Sequence, residues 1–433
     1  MIDINLIRNN PKEIKDKALS KGYQIDTDLI IETDNKHLSI LKEVEDLRKE
    51  RNNLSSTIGK GLKPSPETIV RAKELKTQIQ SKEEELNTVS KNLNDLLLKV
   101  PNMPLDEVPY GKDESDNHVA KKVGDIPTFD FKVKNHAEIA ESNDWLDKKR
   151  AAKIAGSRFS YIKGPLVKLQ FAIVQYVLDV LTNEDIISKI IADNNLNLSS
   201  KPFVPVIPPA LIKTDVYEAS GRLDAEEVTY KIEQDELWLN ASAEHSLCTM
   251  YKDEIIPAED LPIRYIGYST SFRREAGSYG KDMEGLFRNH QFDKLEMEVF
   301  SLPETSYQEH LLLVAIEEYL MQSLEIPYQV LMKCTADIGF PNARGIDIEA
   351  WLPGQNRYRE THSADYITDF QARRLKTRFK NNDGEIGFIH TNDATAFALS
   401  RAPIAIIENY QQKDGSVIIP EVLRAYMGGK KVL

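Results

Sequence analysis

Between positions 72 and 96 apolar residues return at steps of three and four: Ala72, Leu75, Ile79, Lys82, Leu86, Val89, Leu93 and Leu96, with Lys82 the one polar member. That spacing draws a single stripe along an α-helix, and a stripe held over so many turns needs a second helix to cover it. Upstream, Leu38, Leu41, Val44, Leu47, Leu54 and Ile58 form another stripe at helical spacing. Between the two stripes, the glycines and prolines of GKGLKPSPE (59–67) stop one helix and start the next. So short a connection makes the pair antiparallel. The spacing predicts a second helix over 66–100, roughly 50 Å long at about 1.5 Å per residue. Such a rod serves either as an oligomerisation coil or as an arm that reaches a large substrate. Residues 41–100 hold twelve Lys/Arg against ten Asp/Glu, in a chain whose net charge is −12. That contrast permits a polyanionic partner for the rod, and a solvated helical surface accounts for it equally well.

The remainder of the 433 residues reads differently. PNMPLDEVPYGKDESDN (101–117) has the composition of a linker, so the expected division is 1–105 for the helical arm and 106–433 for a larger domain. PLVKLQFAIVQYVLDVL (165–181) and SYQEHLLLVAIEEYLMQSL (306–324) read as helices. From about position 201, short alternating runs such as IRYIGYSTSFRRE (263–275), HQFDKLEMEVFSL (290–302) and GIDIEAWLP (345–353) predict strands with one buried face. The fold class expected is α+β, an antiparallel sheet flanked by helices behind an N-terminal coiled-coil arm. No run approaches 18 apolar residues, so no membrane-spanning helix is expected. The opening MIDINLIRNNPKEIKDKALSKG lacks an apolar signal core, and Asp3, Glu13 and Asp16 argue against a transit peptide. Cys248 and Cys334 alone exclude a disulfide framework or a Cys-rich zinc site; a cytoplasmic location is expected.

Absent motifs narrow the chemistry. There is no GxxxxGK[ST] loop, no GxGxxG after a strand, no HExxH and no GxSxG. What stands out is FRREAGSYGKDMEGLFRNHQFDKLEME (272–298), which leaves a strand with two arginines and a glutamate, crosses a Gly-rich loop, and returns. On the returning strand Phe292, Lys294, Glu296 and Glu298 share parity and face one side. An aromatic ring, a cation and two carboxylates on one face need a ligand or each other. Arginines across a Gly-rich loop suit phosphate oxygens, which guanidinium binds in bidentate fashion; a surface hairpin braced by salt bridges is the plainer alternative. YRETHSADYITDFQARR (358–374) sets Glu360 near Ser363, oxygen ligands of the kind Mg²⁺ accepts. HTNDATAFALSRAPIAIIENYQ (390–411) reads as a helix in which small residues, Ala394 to Ala398, precede Ser400 and Arg401. Small residues let a ligand approach the backbone, and Arg401 can stack on a flat ring.

Taken in this order, the three stretches resemble class II aminoacyl-tRNA synthetases, and Phe272–Phe292 resembles motif 2 of the seryl-tRNA synthetases. MIDINLIRNNP, the heptad hairpin, GSRF (156–159), the helix after Gly164, Pro208–Pro209, WLPGQNRYRE, DFQARR and IENYQQKDGSVIIPEVL extend the resemblance nearly end to end. It implies a serine–tRNA ligase that activates L-serine with ATP and charges tRNA(Ser), with tRNA(Sec) as a second candidate. It also implies a homodimer formed through the motif 1 region around Gly156–Phe159, Gly164 and Pro208–Pro209. The tRNA would be bound by the arm and the motif 2 loop. By the same resemblance Arg273 would hold the ATP α-phosphate and Arg288 the γ-phosphate, with Phe292 and Arg401 on either side of the adenine. Glu275 would touch the adenine edge or the tRNA 3′ end. Glu360 and Ser363 would ligate Mg²⁺, and Glu296 would bind the serine ammonium. Thr395 would contact the substrate side chain, and Ser242, Glu244, Arg273 and Asp393 complete the expected serine site.

Several positions depart from the family's usual residues. Ser242 stands for Thr and Asp393 for Asn, His362, Asp365 and Tyr366 interrupt a small polar stretch, and Ala396 and Ser400 replace glycines. None removes an expected phosphate or metal ligand; the amino-acid pocket is where they bear. A binding-only paralogue would be expected to have lost Arg273, Arg288, Glu296 or Arg401, and all four are present. A class II enzyme for another small amino acid such as threonine lacks its zinc ligands here, and an unrelated head on a coiled-coil scaffold leaves the motifs unexplained.

Overall fold

The computed structural model describes residues 1–433 except 59–64, 224–227 and 276–284. Two compact units divide the chain, Met1–Met103 and Pro104–Leu433. In the first, α1 (Ile4–Asn9) and α2 (Pro11–Ser20) precede two long helices, α3 (Thr27–Ile58) and α4 (Pro66–Leu98). Ser65 caps α4 by accepting from the Thr68 N–H, and Pro66 fills the first position, where its missing N–H costs nothing. Leu86 and Val89 of α4 pack on Ile40 and Val44 of α3. Glu43 pairs with Lys82 at 2.8 Å and Glu50 with Arg71 at 2.8 Å, so numbers fall on one helix as they rise on the other, as in an antiparallel hairpin. Lys82, the polar member of the seam, is thereby drawn out to Glu43 and to Glu85.

Two members of the predicted stripes lie elsewhere. Leu38 is 42% exposed, because the buried line of α3 runs through Ile40 and Val44, and two residues are more than half a turn apart. At the far end of α4, Leu97 is buried and Leu96 only half so. An α-helix drifts about 20° per heptad from a strict 3.5-residue repeat, and over three heptads the next residue takes the inward place. The connection at 59–64 lies outside the described residues.

The second unit is built on an eight-stranded sheet. Its strands are β1 (His118–Val123), β2 (Val204–Val206), β3 (Ile263–Phe272), β4 (Gln291–Ser301), β5 (Tyr328–Met332), β6 (Arg344–Leu352), β7 (Arg357–Thr368) and β8 (His390–Ala398). They lie in the order β1-β5-β6-β7-β8-β4-β3-β2, antiparallel throughout except for the β2–β3 pair. Three helices, α5 (Pro165–Leu181), α6 (Pro303–Ser323) and α7 (Ala402–Asn409), contribute to the core. Leu295, Met297 and Val299 of β4 and Ile346 and Ile348 of β6 pack there with Leu312, Ile316 and Leu320 of α6. A buried ion pair ties α6 to the sheet: Arg264 of β3 donates from Nε and Nη2 to the two oxygens of Glu309, at 2.9 and 2.8 Å. One predicted helix is corrected. Residues 390–398 form the inner strand β8, and Arg401 stands at the N-cap of α7. The alanines read as helical are small because β8 is buried on both faces, with Ala394 and Ala396 wholly inaccessible.

Candidate active site

With Leu295, Met297 and Val299 in the core, the alternation of β4 turns Lys294, Glu296 and Glu298 to the opposite face. The register extends each into a row. Glu296 lies beside Gly267 of β3 and Thr395 of β8. Glu298 lies beside Tyr265 and Asp393, and Asp393 in turn beside Asp365 of β7. Successive rows are about 7 Å apart, the rise of two residues along a strand.

Two β-bulges complete this face. Glu360 and Ser363 are separated by an odd number of positions and would face opposite ways on a regular strand. Between Ile348 and Glu349 of β6 the pairing jumps from His362 to Glu360, so Thr361 is an extra residue and Glu360 turns to the side of Ser363 and Asp365. Likewise Leu295 pairs with Phe397 and Glu296 with Thr395, so Ala396 is extra. Thr395 and Asp393 therefore share a cavity with Ala398 and Ser400.

Ten of the twelve expected site residues line that one cavity: Arg273, Glu275, Phe292, Glu296, Glu244, Glu360, Ser363, Asp393, Thr395 and Arg401. Ser242 is buried beneath it and accepts from Lys294 Nζ at 2.9 Å. Arg288 stands behind Glu275, to which its Nη1 donates at 3.1 Å; its Nε has no hydrogen-bond partner among the described residues. Glu275 is held in a left-handed conformation (φ 50°), its carbonyl accepting from Arg158 of the GSRF segment. At the outer end of the cavity flat groups gather. The Arg273 guanidinium lies 5.4 Å above the Phe292 ring, and Arg401 lies 5.1 Å above Phe287. Arg359 stacks on Phe287 at 3.9 Å. Gly285, just before, has φ 68°, and a Cβ there would meet His136 Nε2 at 2.1 Å, so only glycine brings this segment in. The loop at 276–284, the expected motif 2 loop, lies outside the described residues.

At the inner end charge is concentrated. Glu244, Glu296 and Asp393 each offer an oxygen within 4.8 Å of the others. Lys294 lies between, 2.6 Å from Glu296 and 3.7 Å from Glu244. Burial would raise the pKa of Glu244, but Lys294, His245 and Arg222 outweigh it and hold the carboxyl well below its usual range. Burial dominates at Glu296 and pushes it well above, with Lys294 opposing and Glu244 and Asp393 adding. Burial likewise lifts Asp393 to about 7 against the pull of Arg222, with Asp365 and Glu244 adding. Glu360 is different: burial is overcome by Arg401, 2.8 Å away, and by Lys333, which hold it down at about 2. Ser363 hydrogen-bonds Asp347. Glu360 and Ser363 thus present oxygens on one wall, one of them ionised at any working pH, a donor set that fits a hard divalent cation.

Of the three interrupting residues of β7, only Asp365 belongs to the site. His362 turns to the core against Phe397, where burial holds it neutral with a pKa of about 3, and Tyr366 packs on Tyr307 of α6. Three residues at the site, Arg222, Phe287 and Arg359, carry no signal in the sequence that points to it. Arg222 comes from a stretch, SGRLDAEE, with no motif of its own, and the two others are ordinary members of GLFRN and NRYRE.

An antiparallel sheet with arginines and aromatic rings at one end of a single cavity and a carboxylate cluster at the other defines the catalytic core of a class II aminoacyl-tRNA synthetase. The family described as tRNA synthetase class II core domain (G, H, P, S and T) matches residues 229–410, and the Seryl-tRNA synthetase N-terminal domain matches residues 1–104. Serine–tRNA ligase of Thermodesulfovibrio yellowstonii is 40% identical over 436 residues, covering 99% of both chains. The structure of seryl-tRNA synthetase from Pyrococcus horikoshii complexed with ATP matches with a TM-score of 0.87 at 37% identity, over 100% of this chain and 99% of that one. Cytoplasmic serine–tRNA ligase from Naegleria fowleri in complex with AMP matches with a TM-score of 0.84 at 27% identity, over 100% and 98%. The chain belongs to the seryl-tRNA synthetase family, whose members are ATP-dependent serine–tRNA ligases.

Proposed function

We propose that the cavity activates L-serine with ATP and that the seryl group then passes to tRNA(Ser). The observation that carries this reading is the meeting, in one cavity, of an arginine- and aromatic-lined end with a cluster of three carboxyls whose oxygens lie within 4.8 Å of one another. Arg273 takes the α-phosphate, and Arg288, whose Nη1 now donates to Glu275, takes the γ-phosphate. The adenine stacks between Phe292 and Arg401, with Glu275 at its edge. Glu296 receives the ammonium of serine, supported by Glu244, and Thr395, beside Glu296, contacts the serine side chain. Glu360 and Ser363 would hold Mg²⁺ at the phosphates, where it would supply further charge neutralisation.

The serine carboxylate attacks the α-phosphorus in line, forming the acyl–phosphate bond as pyrophosphate leaves. The 3′-terminal ribose hydroxyl of the tRNA then attacks the acyl carbon, and AMP departs. Neither step needs a nucleophile from the protein; fixed arginines stabilise developing negative charge and position the reactants. The buried histidines fit this: His362, held neutral, faces the core and not the cavity.

The hairpin of α3 and α4 is the tRNA-binding arm on this reading, and the enzyme is a homodimer. Apolar side chains in the motif 1 region support the second point: Phe171 is 62% exposed, Ile154 74% and Ile207 82%. The compartment is the cytoplasm, where Cys248 and Cys334, both free and buried, stay reduced. Arg273→Ala tests the nucleotide site. The variant should fold as the wild type does and lose serine-dependent pyrophosphate exchange by 100-fold or more, the order seen when one transition-state donor is removed. Exchange at the wild-type rate would overturn the assignment.

A further inference from the structure

One row of the sheet beyond Glu296 and Thr395 stand Glu298, Asp393 and Asp365, and a side chain from outside the sheet closes that end. Arg222 donates from Nη2 to Asp393, and its Nη1 lies 3.5 Å from Asp365. The side chain is only 12% exposed, and what remains faces the cavity. Its backbone is braced. The helix Thr214–Ser220 ends at Gly221, which turns the chain with φ 73° at a point where a Cβ would meet the Phe370 ring at 3.1 Å. Ser220 Oγ accepts the Arg222 N–H at 3.1 Å. Arg374 caps the same helix, donating to the carbonyls of Glu218 and Ala219 at 2.8 and 2.9 Å. The guanidinium therefore arrives on a fixed turn and is held there by two carboxylates.

This inference rests on the adenylation reading above. With the substrate carboxylate toward Arg273 and its ammonium at Glu296, the side chain has one direction left, toward the row that Arg222 closes. We propose that Arg222 is a specificity-determining residue of the amino-acid site, its guanidinium forming the end wall of the pocket and donating to the side-chain oxygen of serine. Guanidinium carries five N–H donors, and Asp365 and Asp393 do not use them all. A guanidinium always donates, whereas Asp365 and Asp393 accept once ionised, so Arg222 can serve the hydroxyl oxygen while the hydroxyl proton goes to Asp393. Alanine offers no acceptor and leaves a buried donor unmatched. Threonine brings the oxygen together with a methyl, which must press on a wall that two ion pairs hold in place.

The test is pyrophosphate exchange with serine, alanine and threonine for the wild type, Arg222→Gln and the triple variant Arg222→Gln/Asp365→Ser/Asp393→Asn. The triple variant leaves no orphaned carboxylate and carries the test if the single one does not fold. In the folded variants the serine-over-alanine ratio of kcat/KM should fall at least tenfold and threonine should gain on serine, while the KM for ATP moves less than twofold. An unchanged serine-over-alanine ratio in a folded variant would overturn the proposal and leave Arg222 as a counter-ion alone. Absence of serine-dependent exchange in the wild type would instead overturn the adenylation reading, a separable result.

Discussion

Lys294 and Glu296 lie two positions apart on β4 and 2.6 Å apart in space, and further carboxyls crowd round the pair. Glu244, Glu296, Glu298, Asp365 and Asp393 face Lys294 and Arg222, and burial pushes the Glu317 carboxyl of α6 well above its usual range. Asp393, lifted to about 7 by burial, is part-protonated near neutral pH, so binding of the serine ammonium among these carboxyls should release protons. The sign follows. The ionised form binds, hence the KM for serine should fall as pH rises from about 6 to 8, by as much as tenfold per unit for one proton. The raised values of Glu296, Glu298 and Asp393 stabilise the empty fold at low pH; that contribution is lost as pH climbs through the folded pKa, near 7 for Asp393. The KM for ATP should not follow, because Glu360 at about 2 is already ionised throughout. Steady-state exchange at several pH values decides this. A serine KM that is flat over the range would mean that the cluster is already ionised without substrate.

At the scale of elements, β4 could be read from its alternation, and its core and site faces are as the sequence predicts. The bulges could not. Whether Thr361 and Ala396 are extra residues depends on which partner each strand meets, and a single sequence does not carry its pairing register. The same holds for β8, where the sequence suggests a helix: a strand buried on both faces and rich in alanine lacks the period that separates the two. The long hairpin was legible because its stripe repeats over many turns, and the register of a helix pair needs no distant partner. Its seam holds two helices that would be marginal alone, so it acts as a rigid unit. The catalytic unit has its own core. Replacing residues 38–97 by a short Gly/Ser linker should therefore leave serine-dependent exchange within a few-fold of wild type and cripple charging of tRNA(Ser). Undiminished charging would make the hairpin a spacer or an oligomerisation coil.

For the whole molecule, the residues to which the sequence points are those the proposed reaction demands: on that reading Arg273, Arg288 and Arg401 serve phosphates and base, and Glu296 an ammonium. Those left unnamed are particular to this chain. Arg222 reaches the site from a helix and a turn that contain no recognisable pattern, and it acquires meaning only because Asp365 and Asp393, two departures from the family's usual residues, stand where it arrives. Phe287 matters because Arg359 and Arg401 converge on it from different strands and helices. The central claim is that this assembly selects serine for adenylation, and ATP–pyrophosphate exchange with serine, threonine, alanine and glycine supplied singly tests it most directly. Robust exchange with serine, weaker exchange with threonine and little with alanine or glycine is the predicted result; equal exchange with serine and alanine, or none with serine, would contradict it.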